Sequence, residues 1–129
     1  MYTEKIQMLI NGHWCNGSEG NSQPLINPAT EEVLTDVPLA SEADLEQAIE
    51  ASGKGFKVWR NFTPVARQGI MEKAARLMEE RIDEISKTLT LEMGKPLAEA
   101  KAEMGFVIDV TRWYGEEGKR AYGRLIPAR

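Results

Sequence analysis

One thiol and one imidazole are the side chains of this 129-residue chain best suited to act as a nucleophile and a base. Cys15 and His13 lie two residues apart, so on a β-strand both side chains would point to the same face. Asn11-Gly12 comes immediately before them, and this dipeptide is typical of a tight hairpin because both turn positions require positive φ. The sequence therefore favours a surface hairpin over a thiol or metal site.

Other arrangements that carry chemistry are missing from the sequence. No Gly-x-Gly-x-x-Gly motif lies between a strand and a helix, no phosphate-binding loop is present, and no His and Cys residues have zinc-ligand spacing. The acidic pairs Glu79-Glu80, Asp83-Glu84 and Glu116-Glu117 fall on predicted solvated helix faces and are interpreted as surface charge. We therefore predict that the chain carries no catalytic and no cofactor-binding residue of its own.

Composition and charge argue against several classes of protein. Hydrophobic residues make up 42% and charged residues 28% of the chain, which is typical of a folded domain. The net charge of −4 argues against nucleic acid or an anionic membrane as a partner, because both bind clustered Lys and Arg. No apolar run approaches the roughly 20 residues of a membrane helix. The start of the chain lacks a secretion signal and the single cysteine excludes an internal disulfide, so we expect a cytoplasmic protein.

Residues 1–40 are predicted to form a hairpin and short strands. The hairpin pairs residues 8–10 with 13–15, and a Gly/Ser/Asn-rich loop follows over 16–23. Leu25-Ile26 is a short apolar stretch, and residues 32–39 alternate enough to form a further strand.

Residues 41–118 are predicted to form three to four helices. Ser41 precedes an acidic first turn and suits the N-cap, because its hydroxyl can accept a hydrogen bond from a free backbone N–H. Gly53 and Gly55 favour a bend in this helix. Thr63-Pro64 starts a second helical stretch, in which Glu72 and Arg76 are spaced to form an ion pair. This stretch is either one helix or two with a kink near Arg81.

The last predicted helix, from about Leu97 to Gly118, follows a break at Gly94-Lys95-Pro96. Its second half is apolar on more than one face, and such a helix is normally buried on several sides. The apolar residues are Met104, Phe106, Val107, Ile108, Val110, Trp113 and Tyr114. We therefore expect something beyond this chain to pack there, which is missing downstream sequence, a partner subunit, or both. Residues 119–129 are predicted to begin an extended strand, a candidate for oligomerisation.

Three segments resemble the N-terminal region of the aldehyde dehydrogenase superfamily. Ile10-Asn11-Gly12-x-Trp14, followed by Ile26-Asn27-Pro28-Ala29-Thr30-Glu31-Glu32-Val33, is similar to the family's INGxW and NPATGEV motifs, with Glu31 where glycine is frequent. Ala66-Arg67-x-x-x-Met71-x-x-Ala74-x-x-Leu77 is similar to its arginine-bearing helix, and residues 90–100 resemble its TLExGKPLxEA junction. Residues 113–123 look most like the succinate-semialdehyde branch.

The resemblance implies that the complete enzyme has an α/β fold and that this chain, which is itself α+β, is its N-terminal part. It also implies that residues 41–118 border the cofactor domain. It implies oxidation of a small aldehyde, with succinate semialdehyde as the leading substrate, by NAD or NADP in a homo-oligomer. The family's cysteine nucleophile, glutamate base and oxyanion-binding asparagine would lie beyond Arg129. Cys15 belongs to the hairpin and is not that nucleophile. The alternative is a non-enzymatic helical interaction module or a truncated family member.

The resemblance also implies two sites in this chain. The main-chain carbonyl of Ile26 and the carboxylate of Glu92 match a monovalent cation site, since both are hard oxygen donors. Alternatively, the Asn-Pro after Ile26 is only a turn and Glu92 only a helix-end acid. Phe106, with Val110 one turn later, matches the lining of the substrate entrance. Core or interface packing is the alternative for this pair, and Arg67 matches an arginine that bonds to another segment.

Overall fold

The computed structural model describes residues 6–123, where four strands precede four helices. The strands are β1 (Met8–Ile10), β2 (His13–Cys15), β3 (Ser22–Ile26) and β4 (Val33–Pro38), paired antiparallel as β1–β2 and β3–β4. The helices are α1 (Glu42–Trp59), α2 (Pro64–Glu80), α3 (Ile82–Met93) and α4 (Leu97–Glu117). This combination of strands and helices confirms the predicted fold class.

The first hairpin forms as predicted, whereas one strand was missed. Asn11 and Gly12 have φ values of 52° and 80°, as the turn between β1 and β2 requires. The sequence predicted a loop as far as residue 23, but β3 already begins at Ser22 and pairs with β4. Ser, Gln and Pro have low strand propensity, so this strand depends on its partner for its structure.

A buried carboxylate joins the loop after β2 to the start of α1. Asp44 is 5% exposed, and its Oδ2 accepts hydrogen bonds from the backbone N–H of Ser18 at 2.9 Å and of Ser41 at 2.9 Å. Ser41 Oγ in turn accepts from the Asp44 N–H at 3.2 Å, which completes a capping box and confirms Ser41 as the N-cap. The loop and α1 are therefore held together by one side chain.

Gly17 precedes Ser18, which binds the Asp44 carboxylate, and lies close to the backbone just before α1. Its φ of +85° is unfavourable for other residues, and a Cβ there would lie 2.5 Å from the carbonyl oxygen of Leu39. Only glycine therefore allows the loop to approach the backbone before α1.

The start of α2 follows local signals. Thr63 accepts from the Ala66 N–H at 3.2 Å and Pro64 is the first residue of α2, as predicted. Gly53 and Gly55, where the sequence favours a bend, lie within α1, which is continuous over 18 residues.

The helical stretch that starts at Thr63-Pro64 forms two helices, and it ends at Gly94, as the sequence predicted. Arg81, with φ of −112°, separates α2 from α3. Gly94 ends α3 with φ of 73°, the left-handed conformation expected there, and α4 begins at Leu97.

Small residues allow α4 to pack closely against both α2 and α3. Ala75 of α2 and Ser86 of α3 are fully buried, and a Cβ on Gly115 of α4 would lie 3.4 Å from Met71 of α2. The buried residues of α4 recur at steps of three or four and so share one face. They are Ala100, Met104, Ile108 and Gly115.

Ion pairs fix α4 to both neighbouring helices. Arg112 Nη2 lies 2.6 Å from Glu79 Oε2, and Arg112 Nε lies 3.5 Å from Glu72 Oε1. The hydrogen bond with Glu79 raises the pKa of Arg112, and Arg112 lowers the pKa of the Glu79 carboxyl. Lys101 pairs with Asp83 of α3 at 2.6 Å. The predicted partner of Glu72 was therefore wrong, because Glu72 pairs across helices with Arg112.

The segment after α4 departs from its prediction where the structure describes it. Gly118–Arg120 forms a short 3₁₀ turn that packs against α2, instead of beginning an extended strand. Residues 124–129, which carry most of the predicted strand, lie outside the described residues.

Asp44→Asn should lower the melting temperature at neutral pH by about 4 to 8 °C, because the capping box is weakened. Hydrogen bonds from the Ser18 and Ser41 backbone hold the pKa of the Asp44 carboxyl below its ordinary value. The stabilisation is therefore complete above the unfolded pKa of about 3.9 and is lost as the pH falls through the lower folded pKa. Circular dichroism melts should show the difference from the wild type closing below about pH 4.

The control is Asp109→Asn, which makes the same charge change at an exposed position of α4. It should show no such pH-dependent difference. A difference between Asp44→Asn and the wild type that persists at acid pH would contradict the assigned role of the carboxylate.

Candidate functional site

The two residues of the predicted cation site lie on segments that the fold brings together. The turn after β3 packs against the end of α3, where a Cβ on Gly94 would lie 3.2 Å from Pro28 Cγ. Ile26 is the last residue of β3, and Glu92 lies two residues before Gly94. The two candidates are therefore on neighbouring segments, although they are far apart in the sequence.

Hydrogen bonds make the turn after Ile26 rigid. Asn27 Oδ1 accepts from the Ala29 N–H at 2.9 Å, and the Asn27 N–H donates to the Glu32 carbonyl at 2.9 Å. The Asn27 carbonyl accepts from the Glu31 N–H at 2.8 Å, and Glu31 has a positive φ of 60°. This conformation explains why glycine is favourable at position 31, since glycine adopts positive φ without strain.

The donor chemistry at these segments suits only some cations. Ile26 offers a main-chain carbonyl and Glu92 an exposed carboxylate. Within residues 6–123, no group of three or more His, Cys, Asp or Glu side chains could hold a metal ion. Carbonyl oxygens with a single carboxylate favour a hard cation of low charge over zinc.

The predicted entrance residues lie on the outward face of α4. Phe106 and Trp113 are 69% and 55% exposed, and Val110 lies between them on the same face. This face is roughly opposite the buried one, at 100° per residue. Trp113 and Tyr114 stack edge to face, with ring centroids 4.9 Å apart. The prediction that the other helices leave a second apolar face uncovered is confirmed for the described part of the chain.

Two other candidates from the sequence have simpler environments. His13 is exposed and Cys15 half-buried on β2, and neither belongs to a metal-binding group among the described residues. The hairpin interpretation is therefore the one that the structure supports.

Arg67 is half-buried on α2, and its side chain has no hydrogen bond or ion pair to residues 6–123. The expected bond to another segment is not formed within this part of the chain.

The sequence reasoning missed a cleft of about 400 Å³ between the two hairpins. Its polar lining includes Asn16, Asn21, Ser22, Thr35 and Asp36. Ser22, Thr35 and Asp36 come together because β3 pairs with β4, so no spacing in the sequence indicates them. All except Thr35 are exposed, so the cleft has no buried charge to hold a ligand.

A sequence model of the aldehyde dehydrogenase family matches residues 14–129, which is most of the chain. The chain belongs to the aldehyde dehydrogenase family. A glutarate-semialdehyde dehydrogenase of Pseudomonas putida is 40% identical over 121 residues, covering 94% of this chain and 25% of the relative. The NADP⁺-dependent succinate-semialdehyde dehydrogenase of Escherichia coli is 39% identical with the same coverage.

Solved structures agree with this assignment. An aldehyde dehydrogenase of Brucella melitensis superposes with a TM-score of 0.92 at 40% identity, over 96% of this chain and 26% of that protein. The resemblance to semialdehyde dehydrogenases is thus confirmed, and the chain spans about a quarter of the length of the relatives it matches. Over residues 6–123, no helix combines the length and apolar character that crossing a membrane requires.

The exposed face of α4 should make the isolated chain self-associate. Replacing Phe106 and Trp113 together by Gln should weaken self-association roughly tenfold or more, because exposed aromatic residues are typical anchors of contacts. Sedimentation velocity over a concentration series measures the change.

Trp14→Gln is the matched control, since Trp14 is 66% exposed on the first hairpin. It should leave the association unchanged. A chain that is already monomeric, or one that becomes monomeric through Trp14→Gln, would contradict this assignment of the contact to α4.

Proposed function

We propose that this chain is the N-terminal segment of an NAD(P)-dependent aldehyde dehydrogenase that oxidises succinate semialdehyde or a similar small aldehyde to the acid. The main support is that the family match and the 0.92 TM-score both extend over nearly the whole chain. Semialdehyde dehydrogenases of Pseudomonas putida and Escherichia coli, both among its relatives, favour this substrate class. The name of the E. coli relative supports NADP⁺ as one possible oxidant.

In this proposal the segment shapes the enzyme and does not react. The aldehyde and water yield a carboxylic acid, and the cofactor, when bound, accepts the hydride. Phe106 and Val110 form an apolar wall of the entrance, which favours entry of the carbon chain and excludes water. Close packing and the ion pairs of Arg112 hold α4 so that this wall faces away from α2 and α3.

We also propose that the Ile26 carbonyl and the Glu92 carboxylate help to hold a monovalent cation. The contact between Gly94 and Pro28 supports this proposal, because it brings the two donors onto neighbouring segments. Such an ion would join the turn after β3 to the end of α3.

The exposed apolar helix faces favour a second candidate function. A chain that used these faces to bind other proteins would be an interaction module that shares the family's N-terminal architecture. For the enzyme, we propose a cytoplasmic homo-oligomer in which this segment contributes to the contacts between subunits. The two functions differ in whether the chain supports catalysis when joined to the rest of a dehydrogenase.

A chimera tests the proposed function. This chain should replace the matching first quarter of the E. coli relative. The chain alone should not reduce NAD⁺ or NADP⁺ with succinate semialdehyde, whereas the chimera should. In the chimera, Phe106→Ala should raise KM for the aldehyde roughly tenfold, which corresponds to about 1.4 kcal/mol of lost contact. The absorbance of the reduced cofactor, followed at varied aldehyde concentrations, measures activity and gives KM.

Val65→Ala is the control for this substitution, because Val65 is equally exposed on α2. It should leave KM unchanged. A folded but inactive chimera would favour the interaction module, and an active chimera whose KM is insensitive to Phe106→Ala would contradict the entrance role.

Glu92→Gln tests the cation site in the same chimera. The melting temperature should be higher in potassium or sodium than in tetramethylammonium at equal ionic strength, because a bound ion stabilises the folded state. Glu92→Gln should remove roughly half or more of this difference, since it removes a charged oxygen donor. Glu84→Gln, an equal charge change on α3, should leave the difference intact. Equal responses of the two variants would rule out Glu92 as a ligand.

A further inference from the structure

We propose that the carboxylate of Asp109 makes the entrance beside Phe106 select against aldehydes that carry a negative charge. Asp109 is exposed on α4. At 100° per residue it lies roughly 60° around the helix from Phe106 and roughly 40° from Trp113, so it belongs to the outward face of α4. The inference rests on the function proposed above and concerns its substrate class, in which it favours uncharged small aldehydes over succinate semialdehyde.

The basic residues of α4 do not neutralise the charge of Asp109. They are Lys101 and Arg112, and both pair with acidic residues of the neighbouring helices α3 and α2 instead. Arg112 comes one turn after Asp109 and is the nearer of the two in the sequence, but its guanidinium lies 2.6 Å from Glu79 Oε2. The contacts that fix α4 in place therefore leave the Asp109 carboxylate without a cation partner among residues 6–123.

The charged residues on the outward face of α4 are all acidic. Those within roughly 60° of Phe106 around the helix are Glu99, Glu103, Asp109 and Glu117. Glu103 and Glu117 form ion pairs with Lys95 and Arg120, which lie outside α4. Glu99 and Asp109 form no ion pair with a residue that the structure describes, so this face keeps a net negative charge on both sides of the apolar wall.

The direction in which an aldehyde enters brings the charge of a semialdehyde close to Asp109. The aldehyde group must lead, because it reacts inside the enzyme, so a carboxylate at the other end of the molecule stays nearest the entrance. Like charges a few ångströms apart repel each other even in water, and low-dielectric walls concentrate the field of surface charges. An uncharged aldehyde makes the same apolar contact with Phe106 without this repulsion. Asp109 therefore acts on charged aldehydes alone.

Kinetics of the chimera with succinate semialdehyde and with butanal, an uncharged aldehyde of the same chain length, test the inference. Asp109→Asn should lower KM for succinate semialdehyde roughly threefold and leave KM for butanal unchanged, because it removes the repulsion and little else. Asp109→Lys should lower KM for succinate semialdehyde further. Raising the ionic strength with tetramethylammonium chloride from about 0.01 M to about 1 M should abolish these differences, since the Debye length falls from about 30 Å to about 3 Å.

Asp36→Asn is the matched control, because Asp36 is an exposed aspartate on β4 and its replacement makes the same charge change. It should alter KM for neither aldehyde. An active chimera in which Asp109→Asn changes KM for both aldehydes alike, or for neither, would overturn the inference. The proposed function would then still stand, and Phe106→Ala would test its entrance separately. A folded but inactive chimera would contradict the proposed function and this inference with it.

Discussion

Close packing of α4 on α2 and α3 determines where both candidate sites lie. The contact is made by small residues, including Ala75, Ser86, Ala100 and Gly115, so the helix backbones can approach each other. These small residues bury little apolar area, so the apolar burial on the α4 side of this contact comes mainly from Met104 and Ile108. One consequence is that the bulky side chains of α4 face outward. Another is that the end of α3 is held where the turn after β3 can reach it.

The polar contacts play a different part. Asp44 and Arg112 each join segments that are distant in the sequence. Surface ion pairs such as that of Arg112 contribute little net stability, since water and salt screen them. The nearly buried Asp44 carboxylate has more influence, because its hydrogen-bond donors would be left unpaired without it. These contacts therefore specify the arrangement that the thin apolar core permits.

Features that depend on neighbouring residues could be predicted from the sequence. The turn at Asn11-Gly12, the cap at Ser41 and the left-handed end at Gly94 each reflect a local conformational preference. Strand β3 could not be predicted, because its residues become a strand only through pairing with β4. The same holds for the partner of Arg112, since no local pattern selects Glu79 over other acids. The pairing of Ile26 with Glu92 came from the family resemblance, as spacing alone does not connect them.

Two helices leave large apolar side chains exposed among the described residues. On α4 the face containing Phe106 and Trp113 lies roughly opposite the buried face, so the residues that fix this helix and the residues that it presents outward are separate sets. On α1 the side chains of Leu45, Ile49 and Phe56 fall within one narrow sector and are each more than half exposed. A substitution on either exposed side should therefore leave the packing of α4 on α2 and α3 intact.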